Sequence, residues 1–357
     1  MTYLDDFEFF GNVNKAHDFI DALKSGNFLF SLVISYTETC EISGITFAGA
    51  DKDSIQFTPP ADAEYLYYGY CKTIDKIPMT PDGKPTPALL TKTALESCSI
   101  PHIVINAGSK IHPQLPFIQT GLSHGRNISV DSAMNDSQVS QAVDYGRMVG
   151  RNLASMTDCL IIGESIPGGT TTALAVLRGL GFKAKVSSSI PNNPVELKNQ
   201  IVNLALGRLA SDNPYHVIAE VGDPMIAFVS GMLSSASEIT KVMLAGGTQM
   251  AAVLAFASKI GFNEQNTAIG TTSYISNDNS ANFTSLVSEI ADIPVISVNP
   301  RLENSKFSGL KAFSQGFAKE GVGAGGSIIA SMIKTGNDST HFLTLSEKEY
   351  TRLFTSL

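Results

Sequence analysis

Residues 158–181, DCLIIGESIPGGTTTALAVLRGLG, decide the fold of this chain. An apolar run, 159–162, stops at Gly163 and is followed at once by Glu164. Gly168 and Gly169 come next, then three threonines, then an amphipathic segment that reads as a helix. The order is strand, tight loop, helix N-terminus. Glycines let backbone approach a ligand closely, and the free N–H groups and dipole of the new helix favour an anion. The hydroxyls of Thr170, Thr171 and Thr172 add donors. The loop is not a P-loop, since no Lys-Ser/Thr pair follows the glycines, and it lacks the G-x-G-x-x-G dinucleotide fingerprint. A plain βα turn with a threonine helix cap is the alternative reading of the same residues.

Outward from this loop, short apolar runs alternate with helical patterns. The spacing predicts strands over 28–34, 102–105, 158–162, 242–244, 267–275 and 294–298. Helices are predicted over 138–154, 171–180, 195–209, 224–235, 249–260 and 281–290. That alternation specifies an α/β fold: a three-layer, Rossmann-like, mostly parallel sheet with helices on both faces. In such sheets ligands bind beyond the carboxyl ends of the strands, where Glu164 falls. Residues 25–325 form the nucleotide-binding body in this reading. Residues 1–24 and 326–357, with predicted helices at 13–24, 326–333 and 347–354, form a small helical lobe packed on it. Tyr65, Tyr67, Tyr68 and Tyr70 alternate with smaller residues, the pattern of a half-buried strand or an interface. Residues 79–87, MTPDGKPTP, read as a mobile surface crossing.

The chain has 357 residues, 43% of them hydrophobic and 16% charged, which marks a compact globular protein with a sizeable core. A net charge of −8 argues against a nucleic-acid or anionic-membrane partner. The four cysteines, Cys40, Cys71, Cys98 and Cys159, show no C-x-x-C spacing, so zinc and a disulfide framework are not expected. The acidic start and the lack of a clean spanning segment point to a cytoplasmic protein. His112 and His124 read as surface residues rather than ligands.

A second loop of similar form stands near the C-terminus. In KEGVGAGGSIIASMI, residues 319–333, Glu320 precedes Gly321, Gly323, Gly325 and Gly326, and a helix follows. Two loops of the form glutamate, glycines, helix could converge on one cleft. The pairing of GESIPGGTTTAL with KEGVGAGGS resembles the nicotinate-nucleotide:dimethylbenzimidazole phosphoribosyltransferases, in a divergent branch of that family. The likeness extends from about residue 101 to 330, with branch-like features in SYTETCEISGITFAGA, residues 35–50.

The resemblance implies phosphoribosyl transfer from nicotinate mononucleotide to a benzimidazole-like base. Glu320 matches the glutamate that accepts the proton of the attacking base, and Glu164 the glutamate of the first loop. Gly168, Gly169, Thr170 and Thr171 would hold the phosphate or ribose, with Lys198 paired to the phosphate. Gly246 and Gly247, with Gly321 and Gly323, would let backbone approach the nucleotide. No metal or other cofactor is implied, and a homodimer is. The chain departs from the family at VINAGSKIHP, residues 104–113, where an Asp-His-Gly-like turn would stand, so the acceptor pocket differs or is missing. A related N-glycosyl transferase or hydrolase with another acceptor, and a non-catalytic nucleotide-binding protein, are the alternatives.

Overall fold

The computed structural model describes residues 3–46, 48–49, 52–75 and 83–355. Eight strands form one sheet: β1 (Phe7–Phe10), β2 (Phe28–Ile34), β3 (His102–Asn106), β4 (Ile118–Gln119), β5 (Cys159–Ser165), β6 (Lys241–Ala245), β7 (Thr267–Thr272) and β8 (Val295–Val298). Their spatial order is β1-β8-β7-β6-β5-β2-β3-β4. Every pairing is parallel except β1 with β8, an antiparallel edge. The expected parallel sheet is therefore present, closed at one end by a strand that the sequence pattern did not show.

Central parallel strands are covered on both faces and read as continuous apolar runs. All seven residues of β5 are buried. Leu160 and Ile162 face one core, with the helices Asp136–Ala154, Gly169–Gly179, Pro224–Ala236 and Thr248–Ile260. Cys159 and Ile161 face the other, with Val13–Leu23, Ala88–Ser97 and Ala324–Thr335. Alternation along a strand thus feeds two helical layers, giving the three-layer architecture. The chain ends hold Val13–Leu23, Ala324–Thr335 and Ser339–Thr355, together with β1.

The direction of winding reverses between β2 and β5. From β2 the chain proceeds to β3 and β4 on one side, and from β5 to β6, β7 and β8 on the other. Such a reversal leaves a crevice beyond the carboxyl ends of the two strands. Glu164 stands at the carboxyl end of β5, at this crevice.

Two expectations need correction. The tyrosine-rich segment is a helix, Thr58–Tyr68, rather than a strand. Pro59 and Pro60 sit in its first turn, and Gly69 ends it in a left-handed conformation at φ +70°. The clustering of four tyrosines is a weaker signal than those at the two boundaries. The strand expected over 267–275 stops at Thr272, and Ser273–Ser276 turns into a short helix. Of the expected surface crossing 79–87, residues 79–82 lie outside the described residues; Pro85, Thr86 and Pro87 line a cavity. The four cysteines are free thiols, Cys40 and Cys159 buried and Cys71 and Cys98 partly so.

Candidate active site

The two glutamate–glycine loops meet. The N–H of Val322 donates to the carbonyl of Glu164 at 2.9 Å. Beside that bond the backbones pack without side chains: a Cβ on Gly163 would lie 2.9 Å from the Cα of Gly323. Gly323 has φ +73°, and a Cβ there would also meet the Phe30 ring at 2.7 Å. Val322 itself is held at φ +54°, a strained position for a β-branched residue. Its N–H is taken by Glu164, and its carbonyl accepts from the Thr91 hydroxyl at 2.9 Å. The strain is held in place by bonds to β5 and to the helix Ala88–Ser97.

Above this junction opens a cavity of about 530 Å³, lined by both glutamates. Glu320 is the better partnered. Its Oε1 accepts from the backbone N–H of Gly321 at 3.2 Å and of Gly325 at 3.1 Å. Its Oε2 accepts from the N–H of Thr272 at 3.0 Å and the Thr271 hydroxyl at 3.4 Å. Burial nevertheless pushes the carboxyl up to about 7, against the lowering effect of those four donors. Glu164 is 4% exposed. Burial first, then the neighbouring carboxylates of Asp223 and Glu320, push it up to about 8.

Two more buried carboxyls lie close by: Asp62, which lines the cavity, and Asp223, which does not line it but adds its charge to that around Glu164. Asp223 caps the helix Pro224–Ala236, accepting from the N–H of Ile226 at 2.9 Å and from the Thr172 hydroxyl at 2.5 Å. Burial pushes it up to about 6. The Thr172 bond ties this cap to the helix Gly169–Gly179, which follows the first glycine loop.

The remaining expected site residues divide. Gly168, Gly169, Thr170, Gly247 and Gly321 line the cavity. Thr171, Lys198, Gly246 and Gly323 do not. Gly168 is needed for its left-handed φ of +73°, and a Cβ on it would press on Cys40 at 2.7 Å. Thr171 is fully buried, and its hydroxyl has no partner among the described residues. Lys198 is 1% exposed and donates to the Ser187 carbonyl at 2.9 Å and to Asn193 Oδ1 at 3.2 Å. It braces the segment that carries Ser187, from behind the cavity wall. Lys319 does line the cavity, as Lys84 does, and is paired with Asp278 at 2.5 Å. Sequence reading passed over Lys319, although it adjoins Glu320. Among the described residues no cluster of His, Cys, Asp and Glu could hold a metal ion.

The raised carboxyl of Glu164 sets a pH dependence of stability. The folded state binds its proton more tightly than the unfolded chain does, so ionisation costs stability as pH rises from about 4.5 through about 8. Glu164→Gln is therefore expected to match the wild type at pH 5 and to exceed it at pH 8.5. The gain is on the order of 3–5 kcal/mol, or about 5 °C in Tm for a chain of this size. Thermal melts across that range check it; equal melting temperatures at pH 8.5 would contradict it.

A mostly parallel sheet with a switch-point cavity, two glutamate–glycine loops and helix N-termini beside it is the arrangement in which α/β proteins bind anionic ligands. The chain belongs to the phosphoribosyltransferase family, whose match spans residues 95–275. It is 45% identical over 331 residues to a UPF0284 protein of Archaeoglobus fulgidus, covering 93% of this chain and 95% of that protein. A UPF0284 protein of Sulfurisphaera tokodaii is 43% identical over 340 residues, covering 94% and 97%. Two solved structures from Thermus thermophilus share the fold. One is CobT, with a TM-score of 0.61 and 16% identity, covering 92% of this chain and 89% of that one. The other is described as a nicotinate-nucleotide-dimethylbenzimidazole phosphoribosyltransferase, with a TM-score of 0.62 and 16% identity, covering 93% and 90%. No helix among the described residues is long and apolar enough to cross a membrane.

Proposed function

We propose that this phosphoribosyltransferase moves the phosphoribosyl group of nicotinate mononucleotide onto a ring nitrogen of a benzimidazole-type base, with Glu320 as general base. The observation that carries the reading is the seat of Glu320: a carboxyl in the cavity, oriented by four hydrogen-bond donors and titrating near neutrality. A base with its pKa near the working pH is the efficient choice.

The step balances simply. The C1′–N bond to the nicotinate ring breaks with its electron pair going to the ring nitrogen, so nicotinate leaves. One nitrogen of the incoming azole forms the new bond to C1′, and the proton on its other nitrogen passes to Glu320. Positive charge develops on the sugar in between, and the buried carboxyls around the cavity favour it where they are ionised. The phosphate is untouched by the chemistry. It would sit against the N-termini of the helices Gly169–Gly179 and Thr248–Ile260, whose first residues line the cavity, with Lys319 as its cation. Lys198 then acts indirectly, by fixing the Ser187 carbonyl. The reading also carries a cytoplasmic homodimer, of which sedimentation tests the oligomeric part.

Lys319→Gln is expected to raise the KM for the nucleotide about tenfold or more, with kcat at saturation changed less than about threefold, because a phosphate contact far from C1′ is shared by ground and transition states. Steady-state kinetics check this; an unchanged KM would remove Lys319 from the phosphate site. The transfer itself is tested by chromatography of the protein with nicotinate mononucleotide and a benzimidazole. Expected are nicotinate and the riboside phosphate in equal amounts, both dependent on the base. Nicotinate without a riboside product would mean hydrolysis, and the absence of both would overturn the proposal.

A further inference from the structure

The cavity has two sides, set by the sheet. β2 and β6 flank β5 on opposite sides, so the loops that follow them reach the cavity from opposite directions. Toward β6 lie Gly247, Ser187 and Lys319, groups suited to a phosphate, with the Lys319 ammonium paired to Asp278. Toward β2 lies the helix Thr58–Tyr68, which packs on β2 and β5. This second side is mostly apolar: Ile45, Phe57, Ile166, Pro87 and Val322 form its wall. It suits the flat face of an aromatic base; Glu320, in the same loop as Val322, has its carboxyl bonded to Thr271 and Thr272 of β7.

Polar groups interrupt it, among them Thr46, Thr58, Lys84 and Thr86, and one is a buried carboxylate. Asp62 lines this side of the cavity and is 2% exposed. Its Oδ1 accepts from the Thr86 hydroxyl at 2.7 Å and its Oδ2 from the Ser165 hydroxyl at 2.8 Å. Those two bonds leave acceptor capacity on both oxygens, since a carboxylate offers about four lone-pair sites. Burial pushes the group up to about 6, which leaves it largely ionised at neutral pH. A buried carboxylate left against methyl groups would lose hydration with nothing in return. An N–H or O–H on a ligand would use the acceptor capacity that Thr86 and Ser165 leave.

We propose that Asp62 reads the six-membered-ring edge of the acceptor, and that the acceptor is a fused bicyclic azole carrying an amino or hydroxyl donor on that ring, in preference to 5,6-dimethylbenzimidazole. The inference rests on the proposed function, because it takes the β2 side of the cavity as the acceptor site. Asp62 is a specificity residue in this account and takes no part in the bond exchange. A purely structural Asp62, tying the helix to β5 through Ser165, would affect all bases alike.

The test measures binding of adenine, 5-hydroxybenzimidazole and 5,6-dimethylbenzimidazole by calorimetry, to the wild type, Asp62→Asn and Asp62→Leu. The wild type is expected to hold the donor-bearing bases at least about tenfold more tightly than the dimethyl base, as sites built around a hydrogen bond do. Asp62→Leu is expected to reverse that order, and Asp62→Asn to narrow it. A wild type that holds the dimethyl base as tightly, or an order unchanged in Asp62→Leu, overturns the proposal. If circular dichroism shows Asp62→Leu unfolded, the wild-type order and Asp62→Asn decide. Turnover with nicotinate mononucleotide is measured in parallel. Its absence with every base would refute the transfer reaction, while the binding order would still decide the role of Asp62.

Discussion

Replacing Glu320 with Gln is expected to lower kcat by about 10²–10⁴-fold while leaving nucleotide affinity within about threefold. Glutamine has the shape of the glutamate and its amide oxygen can still accept from the N–H groups of Gly321 and Gly325, so the loop keeps its bond to the helix Ala324–Thr335. The amide cannot take a proton from the attacking azole. The amide NH2 also loses the bond from the Thr272 N–H, which shows as a lower melting temperature, while the loss in the chemical step falls on kcat and kcat/KM together. Rapid-quench measurement of nicotinate formation, with nucleotide binding followed separately, distinguishes this from a folding defect. Turnover within about fivefold of the wild type would mean that Glu320 serves only as a helix cap.

The second large effect is expected from a residue with no side chain. A Cβ on Gly325 would lie 2.3 Å from the carbonyl carbon of Thr271, 2.5 Å from its Cα and 2.6 Å from the nitrogen of Thr272. All three are backbone atoms of β7, so no rotamer change relieves the clash. Gly325→Ala must lift the start of the helix Ala324–Thr335 from the strand, at a cost on the order of 3 kcal/mol. The same displacement opens the Thr272 N–H···Glu320 bond, now 3.0 Å, and moves the carboxylate. The variant is expected to lose both melting temperature and nearly all turnover. By contrast, a Cβ on Gly336, just past the end of that helix, meets nothing within 4 Å. Gly336→Ala suffers only the strain of φ +71° and should retain turnover. Equal activity of Gly325→Ala and the wild type would contradict the close packing of β7 and the glycine loop.

The sheet was largely legible because its strands are buried on both faces and so read as unbroken apolar runs: 28–34 coincides with β2, and 158–162 marks the start of β5. What failed was local. β1 is four residues at an edge, and β4 only two, too short to carry a period. The helix Pro214–Val221 lay unread between better-marked neighbours, although Asn213 caps it and Pro214 opens it. Glu164 and Glu320 could be singled out because each precedes glycines at the start of a helix. Asp62 could not, because its importance comes from Thr86 and Ser165, and the latter is 103 positions away. Lys319 and Lys198 illustrate the same limit. Both are lysines near glycine-rich or turn segments, and only the packing puts one on the cavity wall and the other behind it.

The central claim is that a carboxyl titrating near neutrality accepts a proton in the cavity where the two glycine loops meet. Its most direct test is the pH dependence of kcat/KM between pH 5.5 and 8.5, in the wild type and in Glu320→Gln. Burial raises the Glu320 carboxyl to about 7, and the base must be ionised to act, so the wild-type rate should climb with pH and level off above about 7. The residual rate of Glu320→Gln should lack that limb. A wild-type profile flat across the range, or the same limb persisting in Glu320→Gln, would contradict the account.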